Sequence, residues 1–524
     1  MPVADGSARF AWAITLLAVS LMHEWHISRS LLVSPSVSKH PAVTTAMNRE
    51  FEYDLLCVGS GPAGQRAAVQ AAKLGKKVAV VEKQRCVGGV CIETGTIPSK
   101  TFREAVRGFQ ERNWGDGNGH SHRLRPTMEL LLRRVGSVIE READVVQDQL
   151  ARNEVDLIRG HAKFLDPHTL AVESSGGIRR IDAANILIAV GTRPSPPRDV
   201  QPDGETLILS DNILQLKKLP RTMAVVGGGV IGIEYASMFA ALDVQVTVVD
   251  KRPRPLEFID REIIDELIHQ MRKKDVTFRC GEAVEKIEIS ETTPRRGIIQ
   301  LESGKHIVAD LILFSVGRIG ATDDLNLEAI GLIADERGRL KVDERLRTAV
   351  PHIFAAGDVI GYPALAATSS EQGRLAACSM FGVEAEPMAK HFPIGVYAIP
   401  EISMVGATEE ELTSAKIPYE TGIARFREIA RGQIMGDDSG MFKMIFHRDD
   451  RRLLGAHCIG TGATELIHIG QAVLGLGGGL DYFLKTVFNY PTLAECYKVA
   501  AYNAANKLQY VRRTAASAPI LQVA

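Results

Sequence analysis

From Tyr53 onward the chain alternates short apolar runs with amphipathic stretches of helical period. This is the pattern of parallel strands joined by helices that cover both faces of a sheet. Tyr53–Val58 is apolar except for Asp54 and closes on Gly59-Ser60-Gly61-Pro62-Ala63-Gly64. A helix is predicted over QRAAVQAAKLG, then a strand over 78–81 that ends at Glu82. The same order returns downstream. A strand over 223–226 runs into Gly227-Gly228-Gly229-Val230-Ile231-Gly232, a helix reaches Ala241, and a strand over 245–249 ends at Asp250. Other apolar strands end on glycine at 186–194 (ILIAVGTRP) and 311–320 (LILFSVGRIG), and PHIFAAGDV closes on Gly357-Asp358. Beyond 391 the order changes. The runs MFKMIF and LLGAHCIG precede helical stretches in GATELIHIGQAVLGLG and PTLAECYKVAAYNAANKL, which predicts an α+β unit.

Strand, GxGxxG, helix, strand and acid in this order form a dinucleotide-binding fingerprint. Gly59 and Gly227 allow the tight turn, Gly61 and Gly229 let backbone approach a pyrophosphate, and Gly64 and Gly232 let helix and strand pack closely. The pyrophosphate is expected at the helix amino terminus, where unpaired N–H groups point outward. Glu82 and Asp250 are expected to accept hydrogen bonds from ribose hydroxyls, and Asp358 can hold a further cofactor hydroxyl. Two dinucleotides are implied.

The chain has 524 residues, enough for about three or four domains. Lys plus Arg (62) nearly balances Asp plus Glu (63), which argues against a general nucleic-acid binder. Seven cysteines in a chain this long do not form a secreted disulfide framework, and an intracellular, cytoplasmic protein is expected. Residues 1–46 stand apart. Their charge-free run, 10–22, is shorter than the roughly 20 residues a membrane-spanning helix needs. The segment reads as a disordered extension or a mis-assigned start, in preference to an export signal.

The layout resembles the pyridine nucleotide–disulfide oxidoreductase family of flavoproteins, over about residues 50–510. The resemblance implies an α/β fold with two Rossmann-like dinucleotide-binding domains, for FAD and NAD(P), plus a C-terminal α+β dimerisation domain. The boundaries expected are 47–200 and 325–390 for the two parts of the FAD domain, 201–324 for NAD(P), 391–510 for dimerisation, and a mobile tail at 511–524. It further implies that Lys100 lies beside flavin N5 and pairs with Glu234 as the catalytic pair. The alternative for Glu234, a surface helix carboxylate, is weakened by the Gly-Val-Ile-Gly-Ile run before it. Gly89, Gly317 and Gly357 complete the cofactor-lining set, and a helix opening at 366–370 would support charge at the flavin N1–O2 edge. No metal site, nucleic-acid partner or membrane partner is expected; a homodimer or larger homo-oligomer is.

Two departures from the family pattern decide the chemistry. Disulfide reductases of the family carry two cysteines separated by four residues, and here Thr96 takes the second position after Cys91, in CIETGTIPSK. A threonine hydroxyl forms no disulfide and cannot store two electrons as half of a dithiol. Cys86 lies at the same interval on the other side, but the Gly88-Gly89 turn suits cofactor phosphates and places Cys86 away from the flavin. Near the end, Tyr490 stands where the family has an acid–base histidine, while Pro491 and Glu495 keep the frame. With a pKa near 10, tyrosine is a poor proton shuttle at neutral pH. Cys91 is then a packed neighbour of the flavin more than a nucleophile.

With no thiol relay, the flavin can deliver electrons to another nicotinamide, a quinone or oxygen. GTIPSK with the FNYPT ending is similar to the flavin-dependent NAD(P)+ transhydrogenase (si-specific) branch, which moves hydride between NADPH and NAD+ through FAD. One departure from that branch is Ala321, where it often has asparagine. Asp250 favours the 2′-hydroxyl of NAD(H), whereas Lys251, Arg252 and Arg254 favour the 2′-phosphate of NADP(H). A site that takes both cofactors in turn needs such a mixture, though ordinary solvated turn charges would read the same. An NAD(P)H dehydrogenase acting on quinones or dyes, a dihydrolipoamide dehydrogenase-like reductase and a nonenzymatic flavoprotein remain as alternatives.

Overall fold

A computed structural model describes residues 51–113 and 126–517, with backbone alone at 111–113 and 510–517. The expectations for residues 1–46 and for the start at 47 lie outside the described residues. Among those described, no helix is long and apolar enough to cross a membrane.

The first glycine loop belongs to a sheet whose parallel part runs Asp156–Arg159, Val78–Glu82, Tyr53–Val58, Gly177–Ile188, Ile353–Ala355. Only the carboxyl half of Gly177–Ile188 joins this part. Its amino half pairs antiparallel with Thr169–Ser174, which in turn pairs with His161–Phe164. The strands at the centre are buried on both faces, which explains their unbroken apolar runs. Helix Pro62–Lys73 crosses to the second strand, and Ala366–Met380 packs on it so closely that a side-chain carbon at Gly373 would stand 2.0 Å from the Ala63 carbonyl.

The second glycine loop lies in an all-parallel sheet ordered Thr277–Cys280, Gln245–Asp250, Thr222–Val226, Leu311–Phe314, Leu207–Leu209. LILFSVGRIG, predicted as one strand, stops at Phe314 and resumes as Arg318–Gly320, which pairs with Thr192–Pro194. Gly317, at φ +148°, lies in that interruption.

The last unit is a five-stranded antiparallel sheet ordered Ile394–Val396, Ile402–Gly406, Leu453–Ile459, Met441–His447, Tyr419–Arg425. Helices Ala463–Gly475 and Glu495–Ser517 meet where the Tyr497 hydroxyl accepts from Gly470 N (2.7 Å) and donates to the Leu466 carbonyl (2.9 Å). The final helix continues into the segment expected to be a tail, as far as Ser517.

A buried charge cluster ties this sheet to the second one. Lys443, fully buried, donates to Asp260 (2.9 and 3.1 Å), pairs with Glu262 (2.7 Å), and contacts Glu409. Asp260 also caps helix Arg261–Arg272 by accepting from Glu262 N (3.2 Å).

Candidate functional site

The first loop closes on itself. Gly59 has φ +106°, and a side-chain carbon there would stand 2.4 Å from the Ala189 carbonyl oxygen; one at Gly64 would stand 2.0 Å from Gly59 O. Gly61 differs, because nothing lies within 4 Å of where its side chain would project. Gly89 (φ +61°) approaches from the neighbouring turn, its absent side chain 3.0 Å from Gly61 Cα. Together they form an open cradle at the amino end of helix Pro62–Lys73, which has no side-chain cap.

Glu82, 4% exposed, is held at the strand end by Ser60 N (3.0 Å), Ser60 Oγ (2.5 Å) and Gln84 N (2.7 Å). The Ser60 hydroxyl in turn accepts from Gly88 N at 2.8 Å, linking the two halves of the cradle. Sequence reasoning passed over Ser60, and its place inside the fingerprint was the available signal. Gly357 (φ +84°) donates its N–H to Gln372 Oε1 at 2.8 Å. The neighbouring Asp358 carboxyl is pushed up from its ordinary value by burial, with Arg318 the leading opposing charge. Arg318 is fixed by Thr192 Oγ1 (2.9 Å), the Thr192 carbonyl (2.9 Å) and Asp211 (3.0 Å).

Cys91 lies in the short helix Gly89–Glu93, and Thr96 opens the helix Thr96–Asn113. Thr96 thus places an alcohol at the chain position where the second thiol of the family would stand. Burial pushes the Cys91 thiol above its ordinary value, against the opposing effects of Thr96 and Lys100. The group is thus a thiol at neutral pH and a weak nucleophile. Cys86 is instead turned to the Val87 carbonyl, 3.5 Å away, and all seven cysteines are free.

One helical turn beyond Thr96, Lys100 Nζ reaches Glu234 Oε2 at 2.8 Å and Oε1 at 3.0 Å. Helix Val230–Ala240 carries Glu234 on a buried face, and its side chain is 4% exposed against 26% for Lys100. The surface-carboxylate alternative for Glu234 is therefore excluded. Glu234 Oε1 also accepts the backbone N–H of Tyr397 (2.8 Å), whose ring lies 4.9 Å from the lysine ammonium. Nothing in the sequence singled out Tyr397, because it arrives from another sheet.

The second loop repeats the first. A side chain at Gly227 (φ +108°) would stand 2.6 Å from the Ser315 carbonyl oxygen, one at Gly232 2.0 Å from Gly227 O, while Gly229 and Gly317 face open space. Asp250 accepts from Gly228 N (2.5 Å) and from Arg252 through N (2.8 Å), Nε (2.9 Å) and Nη2 (2.6 Å). Burial alone would raise the Asp250 carboxyl, but these bonds hold it below the ordinary carboxylate value. Arg252 is thus engaged, Lys251 is exposed, and Arg254 reaches Asp265 at 3.5 Å. At the far end of the chain Tyr490 is 72% exposed, and one buried Glu495 carboxylate oxygen has no hydrogen-bond partner.

A family model for pyridine nucleotide-disulphide oxidoreductases matches residues 53–373, and one for the dimerisation domain of those enzymes matches 392–501. The chain belongs to this family. It is 52% identical over 462 residues to the soluble pyridine nucleotide transhydrogenase of Mycobacterium bovis (strain BCG / Pasteur 1173P2), covering 87% of this chain and 98% of that one. Identity to the soluble pyridine nucleotide transhydrogenase of Klebsiella pneumoniae is 44% over 468 residues, covering 88% and 100%. Among solved structures, the HOCl-induced flavoprotein disulfide reductase of Escherichia coli matches with TM-score 0.77 and 28% identity, over 86% of this chain and 99% of that one.

The residues fit the dinucleotides this family handles. At Gly61 and Gly229 the cradle leaves the space that a phosphate needs, and the positions that admit no side chain are those where strand and helix meet.

Proposed function

We propose that this chain is an FAD-dependent pyridine nucleotide transhydrogenase, passing hydride reversibly between NADPH and NAD+ in ping-pong turnover at one nicotinamide site. FAD, when bound, supplies the two-electron carrier at N5. The chain's residues supply position, field and the exclusion of a thiol relay. The observation that carries this reading is a free Cys91 with Thr96 where its disulfide partner would stand, in a chain with both glycine loops complete.

Gly59, Gly61, Gly64, Gly89 and Glu82 would hold the FAD pyrophosphate and ribose, Gly357 and Asp358 the ribityl chain, and Cys91 and Thr96 would lie beside the ring. Lys100 would supply an ammonium to the flavin, and its bond to Glu234 limits the energetic penalty of burying that charge. Gly227, Gly229, Gly232 and Gly317 receive the nicotinamide nucleotide, with Asp250 and Arg252 at its adenosine ribose. Two copies assemble through the last sheet, and a cytoplasmic location completes the reading.

The test mixes FAD-loaded protein, NADPH and thio-NAD+ without added thiols. Reduction of the thio-nicotinamide with parallel double-reciprocal lines is expected. Brisk quinone turnover without nucleotide transfer, or turnover of lipoamide, would overturn the proposal.

A further inference from the structure

Residues 397–401 leave the edge strand Ile394–Val396 and pass between helices Thr96–Asn113 and Val230–Ala240. Helix Val230–Ala240 grips the segment through two residues one turn apart, and helix Thr96–Asn113 through the single residue Arg103. From Val230–Ala240, Glu234 Oε1 accepts from Tyr397 N (2.8 Å) and Ser237 Oγ accepts from Ile399 N (3.0 Å). From Thr96–Asn113, Arg103 donates to the Ala398 carbonyl (2.9 Å) and pairs with Glu401 (2.9 Å), both side chains being nearly fully buried. The register of the segment is therefore fixed, and Tyr397 stands directly against the Lys100–Glu234 pair.

The lysine needs such a neighbour. Its four-carbon stem has many rotamers, a quarter of the side chain is exposed, and the carboxylate of Glu234 constrains it from one side. An aromatic face within about 6 Å of an ammonium attracts it, more strongly when water is excluded. The Tyr397 ring lies inside that distance.

We infer that Tyr397 is a positioning residue for the reaction: its ring face fixes the Lys100 ammonium, and its backbone N–H fixes the Glu234 carboxylate, so that a segment of the C-terminal sheet sets the electron affinity of the flavin. This inference rests on the assignment of Lys100 to the flavin in the proposed function. A positive charge held near the ring stabilises its reduced, anionic form, and a charge free to swing away stabilises it less.

The test measures flavin midpoint potential by dye equilibration in FAD-loaded, full-length protein. The variants are Tyr397→Phe, Tyr397→Leu, Lys100→Met and the Lys100→Met/Tyr397→Leu double, with FAD content and thermal unfolding recorded for each. Tyr397→Phe keeps the ring and is expected to match the parent. Tyr397→Leu is expected to move the potential negative, in the direction of Lys100→Met but by less, and to slow flavin reduction by NADPH about 3- to 30-fold. The double variant should equal Lys100→Met alone, since the ring acts only through the lysine. Should leucine release FAD, phenylalanines with increasing ring fluorination at 397 weaken the ring face at constant shape and must step the potential downward.

A Tyr397→Leu potential equal to the parent's while Lys100→Met shifts would overturn the positioning role. So would Tyr397→Phe behaving like leucine, which would assign the effect to the phenol hydroxyl and not to the ring face. An unshifted Lys100→Met potential would instead remove the placement of Lys100 at the flavin, and the inference with it.

Discussion

Arg252 holds Asp250 in a two-pronged ion pair, Nε and Nη2 at 2.9 and 2.6 Å, at the end of the strand that follows the second glycine loop. The carboxylate suited to a ribose 2′-hydroxyl is thus bound to the guanidinium suited to a 2′-phosphate. In the proposed function, either nucleotide would open the pair from one side. Arg252→Ala is expected to raise KM for NADPH about 10-fold or more, the value of one charge-assisted bond, and to change that for NADH by less than about 3-fold. Asp250→Asn should do the reverse. Steady-state KM values for both nucleotides check this, and equal shifts in both would show that the pair plays no part in selection.

Thr96→Cys places a second sulfur against Cys91. The variant is expected to oxidise to a disulfide between Cys91 and the introduced thiol, and on reduction to show the long-wavelength band of a thiolate beside the flavin. Transfer from NADPH to thio-NAD+ should slow as the new dithiol competes for electrons. Thiol titration and a reduced-enzyme spectrum are the measurements. No change in either would mean that the two side chains do not meet.

Two glycines of the first loop should fail differently when replaced. Gly61 has φ −63° and open space before it, so Gly61→Val should fold with near-parent thermal stability yet purify with much less FAD. Gly64→Ala forces a carbon to 2.0 Å from Gly59 O and should lower the unfolding midpoint of the apoprotein itself. Calorimetry and the flavin-to-protein absorbance ratio separate the two outcomes.

Lys443→Met strips the cation from Asp260, which is fully buried. A loss of about 3–5 kcal/mol is expected, read from denaturant midpoints. Burial would raise the Asp260 carboxyl, but neighbouring His457 and Lys443 hold it below its ordinary value. A depressed folded-state pKa gives stability that is full above the unfolded value near 4 and fades as pH falls through the folded one. The parent should therefore lose stability below about pH 4, and Lys443→Met should lose less over the same range. Parallel acid profiles would count against the pairing.

Much of the architecture was legible because local rules and tertiary structure agree. Both glycine loops sit between a buried strand and a helix, where only glycine fits, so spacing alone located them. Lys100 and Glu234 could be paired in advance only through the family resemblance, since they lie on different helices and no periodicity joins them. Arg318 and Tyr397 escaped notice for a related reason. Arg318 finds its partners Thr192 and Asp211 more than a hundred positions away, and Tyr397 reaches the site from a strand edge nearly three hundred positions from Lys100. The ion pair between Arg252 and Asp250 was hidden as well. Sequence displayed both charges but not that each already satisfies the other.

Strand Ile353–Ala355 and the helix whose Gly373 rests on Ala63 complete a layer begun at Tyr53. During synthesis that layer waits, its central strand open along one edge, until the ribosome has released the chain past Met380. The second parallel sheet can form in the interval, being contiguous, but the first cannot close. Flavin capture is therefore a late event in the life of the nascent polypeptide, and a chain truncated before Ala366 should emerge colourless.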